Sequence, residues 1–346
     1  MDNLYIETFF FAVPYRLIWS NWEKFCGEQD NPGDSTDYLV PTVTATVGEE
    51  TLYDYLGIPT GTSLTFNNFA GRAYNLIWNE WFRDENLQDS ITVDTGDGPD
   101  TATNYVLQKR GKRHDYFTSC LPWPQKGDAV QLPLGERADI AFDGANNAQI
   151  GVYSTTKGGN SAMDVTGNVL LNHGGTPADL LYADLTDATA ATINDLREAF
   201  QIQKLYERDA RGGTRYTEIV QSHFGVVSPD ARLQRPEYLG GGKDRITINP
   251  ISQTSSTDAT TPQGNMSAFA TAGFSGHGFS KAFTEHSVVI GMACVFADLN
   301  YQQGLHRNFS RQTRWDFYWP ALAHIGEQAV LNKEIYAQGT AATDRD

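Results

Sequence analysis

Residues 71–88, GRAYNLIWNEWFRDENLQ, constrain what this chain can fold into more than any other stretch. Read as a helix, they place Tyr74, Trp78, Trp81 and Phe82 at i, i+4, i+7 and i+8, on one face. Asn75, Asn79, Arg83 and Asn86 recur at the same period on another face. Burial of one aromatic ring is worth roughly 2–3 kcal/mol. A short helix with four such rings needs a larger apolar surface than it can supply itself. These side chains are therefore anchors, either in a core or at a subunit interface, since Trp and Tyr also dominate interface hot spots.

The order Leu-Ile-Trp-x-x-Trp occurs at 17–22 and again at 76–81. The flanks differ, so these are two similar helical anchors and not a repeat. Ahead of the first, residues 4–13 are rich in Phe, Ile, Tyr and Val, as in a strand buried on both faces, and Pro14 ends them. Residues 286–299 form the longest apolar run and read as a central strand; residues 245–254 alternate as another. Residues 16–25, 51–56, 194–208 and 216–224 read as helices, with Asn194 or Asp195 able to cap the third. Residues 228–242 read as a turn-rich connection and 253–278 as a polar loop. Helices fall between distant strands without βαβ alternation, which favours an antiparallel β scaffold with helical excursions, 193–242 among them. Residues 137–192, rich in Gly, Ala, Asn, Asp and Thr, read as a surface insertion within a single domain spanning 1–346.

Charge restricts partners. The formal net charge is −16, so the chain as a whole repels nucleic acid, and contact with it needs a local basic patch or a basic partner. Lys109, Arg110, Lys112 and Arg113 are the densest cations, with Tyr116 and Phe117 close behind. Cations beside aromatics suit single-stranded nucleic acid, through phosphate contacts and base stacking. The competing reading is a solvated loop, or one paired with the acidic loop 89–103. In that loop Asp94, Asp97 and Asp100 depart from the spacing of a calcium-binding EF-hand, and a solvated loop is the better reading.

Searches for catalytic patterns fail. In Gly240-Gly241-Gly242-Lys243, Glu237 stands where a phosphate loop needs Gly and Asp244 where it needs Ser or Thr. Gly273, Gly276 and Gly278 are misordered for a dinucleotide fingerprint. No Gly-x-Ser-x-Gly elbow or HExxH pair occurs. Cys26, Cys120 and Cys294 are distant and odd in number, which suits free thiols and neither zinc nor a disulfide framework. The expectation is a non-enzyme with no cofactor and no metal. No apolar run approaches the roughly 20 residues that span a membrane, and the N-terminus lacks a signal peptide's basic region.

Long segments resemble a known family. They are MDNLYIETFFFAVPYRLIW (1–19), RAYNLIWNEWFRDENLQ (72–88), KRGKRHDYFTSCLPWPQKG (109–127), LREAFQIQKLYERDARGGTRYTEIVQSHFGVVSPDARLQRPEYLGG (196–241) and FYWPALAHIGEQAVLNKEIY (317–336). Together they resemble the major capsid protein of the Microviridae, small single-stranded DNA phages, and are closest to its gokushovirus branch. The resemblance implies an eight-stranded antiparallel jelly-roll sandwich of viral capsid type, with long loop insertions containing helices. It implies a T=1 icosahedral shell of identical copies around circular single-stranded DNA, assembled in the host cytoplasm and located in the virion. It implies further partners: a small basic DNA-associated protein and a host surface receptor, with no membrane insertion. Residues 137–192 fall where the gokushovirus branch varies and carries protrusions near the threefold axes, used in attachment. The family chain begins before Met1 and runs beyond Asp346, so terminal strands of the sandwich are expected outside this segment. A second class of function, a carbohydrate-binding or hydrolytic jelly roll, predicts paired carboxylates in an aromatic-lined cleft.

Overall fold

The computed structural model describes residues 3–130, 139–141, 151–154, 159–162, 182–184, 193–252, 254, 257, 259–260, 264, 266–323 and 325–339. In order, the elements are β1 (Leu4–Pro14), α1 (Tyr15–Ile18), α2 (Trp22–Phe25), β2 (Thr42–Thr46), α3 (Leu52–Tyr55), β3 (Ser63–Asn67) and α4 (Phe69–Ile77). There follow β4 (Asp139–Ala141), β5 (Gly151–Ser154), β6 (Gly159–Ala162), β7 (Tyr182–Asp184), α5 (Ile193–Gly212), α6 (Tyr216–Phe224) and α7 (Asp230–Leu233). The last are β8 (Glu237–Arg245), β9 (Thr247–Ser252), β10 (Met266–Thr271), β11 (Ser287–Ala297) and α8 (Asn332–Ile335).

The chain forms two compact units: Met1–Pro124 with Asp209–Asp346, and Gln125–Arg208. In the second unit β4 pairs with β7 and β5 with β6, both antiparallel, and most of α5 follows. The rest of the expected 137–192 insertion lies outside the described residues.

In the first unit β1 is the middle strand of a sheet ordered β11-β1-β8, antiparallel on both sides. Its register runs from Leu4 opposite Ala297 to Pro14 opposite Ser287, and from Tyr5 opposite Arg245 to Ala12 opposite Glu237. The other strands form antiparallel pairs, β2 with β3 and β9 with β10. The fold is thus antiparallel sheet with helical excursions. Among the described residues the strands make one three-stranded sheet and four two-stranded ladders.

Two sequence readings are corrected here. The turn-rich connection at 228–242 contains most of β8, and the polar loop at 253–278 contains β10. The glycines of β8 mark close approach and not a turn. A Cβ on Gly241 would meet the Thr8 carbonyl, and one on Gly242 the His277 ring. The strand expected at 245–254 is β9; it pairs with β10 and not in the sheet of β1. The helix expected at 16–25 is split, because Trp19 is extended (φ −151°, ψ 113°) and donates its indole N–H to Asp97 at 2.7 Å.

The two Leu-Ile-Trp anchors meet in one core. Ile18 and Trp19 pack with Ile77, Trp78 and Phe82, below Phe11 and Val13 of β1. A second cluster gathers Val43, Val47, Leu52, Tyr53, Tyr74 and Tyr105.

The reading of 89–103 as a solvated loop holds for most of it, Asp89 and Asp97 included, and is corrected at Asp94 and Asp100, which join the polar core. The Arg72 and Asp100 side chains are 0% and 2% exposed and form a bidentate pair, with Nε donating to Oδ2 at 2.8 Å. Arg72 also donates to the carbonyls of Ile18 (2.9 Å) and Gly96 (2.8 Å), while Asp100 accepts from Asn68 and the Tyr105 hydroxyl. Asp94 takes the other hydrogen bond from Tyr105 at 2.7 Å. A buried guanidinium is tolerable only when its donors are matched in this way. Asn75 and Asn79, expected on the second helical face, hold the same loop by donating to the carbonyls of Thr92 (2.9 Å) and Ile91 (2.7 Å).

Candidate functional site

The aromatic face of the central helix positions the basic segment. Beyond Ile77 the helix widens into a π turn over Trp78–Phe82. That turn holds more residues than an α turn, so the 3.6-residue spacing breaks there. Tyr74 (7% exposed) joins the second cluster, while Trp78 (4%) and Phe82 (8%) stay in the first. Trp81 is rotated outward, 41% exposed, donating to the Pro236 carbonyl at 2.9 Å under the Arg235 guanidinium. The polar edges of the buried anchors then catch residues 108–111. The Trp78 indole donates to the Lys109 carbonyl at 3.1 Å, the Gln108 amide to the Tyr74 hydroxyl at 2.9 Å, and the Gly111 amide to the Phe82 carbonyl at 2.7 Å.

Held there, the segment lies over one face of the β1 sheet. Alternation along β1 puts Tyr5, Glu7 and Phe9 on that face, with Lys243 and Cys294 opposite Glu7 and Phe296 opposite Tyr5. Arg110 pairs with Glu7 at 2.7 Å, and its guanidinium carbon sits 5.1 Å from the Phe9 ring and 5.4 Å from that of Phe82. Arg113 reaches the other Glu7 oxygen at 3.6 Å and lies over Phe296 at 5.0 Å. Lys243 stands 3.8 Å above the Tyr5 ring. One carboxylate therefore faces three cations stacked on aromatic rings, a local excess of positive charge in an acidic chain.

The four expected cations do not behave alike. Arg110 and Arg113 are tied to Glu7, on β1 and not in the acidic loop. Lys109 and Lys112 are exposed, with no side-chain partner among the described residues. Tyr116 is exposed, and Phe117 packs on Tyr301 at 4.4 Å. Desolvation pushes the Asp115 carboxyl upward, but hydrogen bonds from Thr118, Tyr301 and Phe117 outweigh it and hold the group below its ordinary range. Sequence reasoning missed Glu7 and Lys243. The available signal was the period-two spacing of Lys243 and Arg245 across from Glu7 and Tyr5.

Beside the segment runs an open groove of about 1080 Å³, bordered by Trp81, Tyr116, Trp123, Arg83, Lys112 and Arg215. Its carboxylates are engaged. Glu85 accepts from Arg215 and from the Thr214 amide, Glu218 pairs with Arg215 at 3.1 Å, and Glu327 pairs with Arg211 at 3.1 Å. Asp84 accepts from the Asn86 amide at 3.0 Å. Burial lowers the Arg215 guanidinium from its ordinary value against the pull of Glu218 and Glu80, so those carboxylates serve to neutralise a half-buried cation. The free carboxylate pair that glycoside hydrolysis uses is not present among the described groove residues. Among the described residues no three His, Cys, Asp or Glu side chains are placed to hold a metal, and no helix is long and apolar enough to cross a membrane.

Comparison with known proteins matches residues 1–346 to the family described as capsid protein (F protein). The chain is 52% identical to the capsid protein VP1 of Bdellovibrio phage phiMH2K, over 100% of this chain and 69% of that protein. It is 40% identical to VP1 of Chlamydia phage 1, over 99% of this chain and 70% of that protein. It is 38% identical to VP1 of Spiroplasma virus 4, over 98% and 68%. An antiparallel scaffold and matches that span this whole chain agree: the chain belongs to the capsid protein (F protein) family of the Microviridae and is a structural component of the virion.

Proposed function

We propose that this capsid subunit meets packaged single-stranded DNA through Lys109 and Lys112, with Arg110 and Arg113 holding their segment in place. The observation that carries the reading is the division of labour among the four cations. Two are locked to Glu7 and to aromatic rings, and two exposed ammonium groups are left for phosphate. The exposed Tyr116 ring supplies a stacking surface close by. On this reading the segment faces the particle interior, and the small basic phage protein neutralises the bulk of the genome. The subunit takes the jelly-roll sandwich form of viral capsids, repeated in a T=1 shell. Residues 137–192 serve attachment to a host receptor, and the subunit performs no catalysis.

Phosphate contacts are charge-driven and indifferent to base sequence. Replacing Lys109 and Lys112 by Ala should weaken single-strand binding for all sequences alike. The slope of log K against log salt should flatten by about 0.7 to 1 per lost contact. Packaged DNA should fall while empty-shell yield holds. Loss of empty shells together with DNA would instead assign the lysines to a subunit boundary, and a particle structure with these side chains on the outer surface refutes the proposal.

A further inference from the structure

The β9–β10 hairpin is the least supported element of the first unit. Six residue pairs join it, from Thr247 opposite Thr271 to Ser252 opposite Met266, and among the described residues no third strand pairs with either member. At about 3.4 Å per residue the ribbon is about 20 Å long. Its base is fixed: β8 runs into it through Ile246, whose amide donates to the Leu4 carbonyl at 2.9 Å. Beyond that base every strand residue except Asn249 is exposed. Ile248, Pro250, Met266, Ala268 and Ala270 share one face, which is apolar but for Ser252, while Ile251 and Phe269 stand on the other among Thr247, Asn249, Ser267 and Thr271. Exposure is 53% for Ile251, 51% for Phe269 and 60% for Met266.

A two-stranded ribbon on which, among the described residues, no further strand pairs is marginal in water by itself. Chains that keep such a ribbon free protect its edges with charge. Here neither strand, TINPIS or MSAFAT, holds a charged residue. Pro250 removes one amide from β9, while β10 has no proline and keeps every amide of its open edge.

We propose that this hairpin is an assembly arm that docks on a second copy of the same chain, through the β10 edge, the apolar face and the exposed Ile251 and Phe269 side chains. The inference rests on the capsid reading and names the surface through which copies engage. Charge selects the occupant. The arm has no cation to hold phosphate, which disfavours nucleic acid. Copies with a net charge of −16 repel one another over most of their surfaces, and the two uncharged strands of the arm are where they can touch without that cost. An arm that leaves its own subunit and enters a differently placed site on the next makes a heterologous contact, the kind that closes rings and shells.

Hydrogen exchange on the intact capsid chain, as free subunits and as assembled particles, tests this without a mutation. The amides of 266–271 should exchange at least about tenfold more slowly in particles than in free subunits. Equal rates in the two states overturn the proposal, and slowing that requires added single-stranded DNA overturns it in favour of a genome contact. Phe269→Lys and Ile251→Lys, both on exposed positions, should leave the subunit's melting temperature unchanged and abolish particles. Normal particles from the double variant overturn the arm while leaving the capsid reading intact. Only failure of the unaltered chain to form particles counts against the capsid reading itself.

Discussion

Asp100 shows how far one residue's role can depart from its local sequence. It lies among Asp94 and Asp97 in a loop that reads as solvated, yet its carboxylate is the partner of the fully buried Arg72. Removing one member of a buried pair leaves the other charge uncompensated, so Asp100→Asn should cost about 3–5 kcal/mol in urea unfolding at neutral pH. Desolvation raises the Asp100 carboxyl, but hydrogen bonds from Arg72 and Asn68 outweigh it, and the folded-state value is depressed. A depressed carboxylate stabilises fully above the unfolded value, near about 3.9, and that contribution is lost as pH falls through it toward the folded value. The unaltered chain should therefore lose stability steeply below about pH 4, and the Asn variant less steeply. Parallel acid limbs for the two proteins would count against the buried pair as the source. The two tryptophans of the central helix separate in the same manner. Trp78→Ala should cost about 3–5 kcal/mol and free residues 108–111 to proteolysis, whereas Trp81→Ala, at a half-exposed ring, should cost clearly less in the free subunit. Equal losses would mean that the π turn does not rotate Trp81 out of the core.

At the scale of elements, some readings that rest on period and apolar run length match the structure. The strand at 4–13, the strand at 286–299 and the helix at 216–224 each carry their pattern within themselves. The misread elements depend on something distant in sequence. The Gly-Gly-Gly stretch of β8 looks like a turn, but its missing side chains make room for Thr8 and for His277, which lies 2.7 Å from both Thr8 Oγ1 and Asp244 Oδ2. No local pattern records a neighbour more than 200 residues away. Likewise β10 has the composition of a loop, and among the described residues all of its side chains are exposed. The site was half legible: the basic run and the aromatic anchors stand out, but that the anchors hold the run, and that Glu7 divides it into bound and free cations, needs β1 and 108–113 side by side. Gly242→Val tests the crowded face of β8. A branched side chain there must displace the His277 ring, and overpacking of this kind costs about 1–3 kcal/mol. An unchanged denaturation midpoint would show that the 273–279 segment does not press on β8.

Over the whole molecule, two electrostatic demands oppose one another. A shell brings together many copies of a chain with net charge −16, while its candidate genome contact is a small cationic segment. The two respond to salt with opposite signs. Repulsion between subunits acts over the Debye length, about 30 Å at 0.01 M and about 8 Å at 0.15 M, so added salt relieves it, and the uncharged hairpin contact is left at full strength. Phosphate binding weakens as salt rises, because counterion release is worth less. The yield of empty shells from purified subunits should therefore rise between about 0.01 and 0.15 M salt, while single-strand binding by the same subunits falls across that range. Light scattering for assembly and fluorescence anisotropy with a labelled oligonucleotide read the two on one preparation. Shell yield that falls in step with DNA binding would mean that ion pairs between copies, and not apolar contact, hold the shell closed.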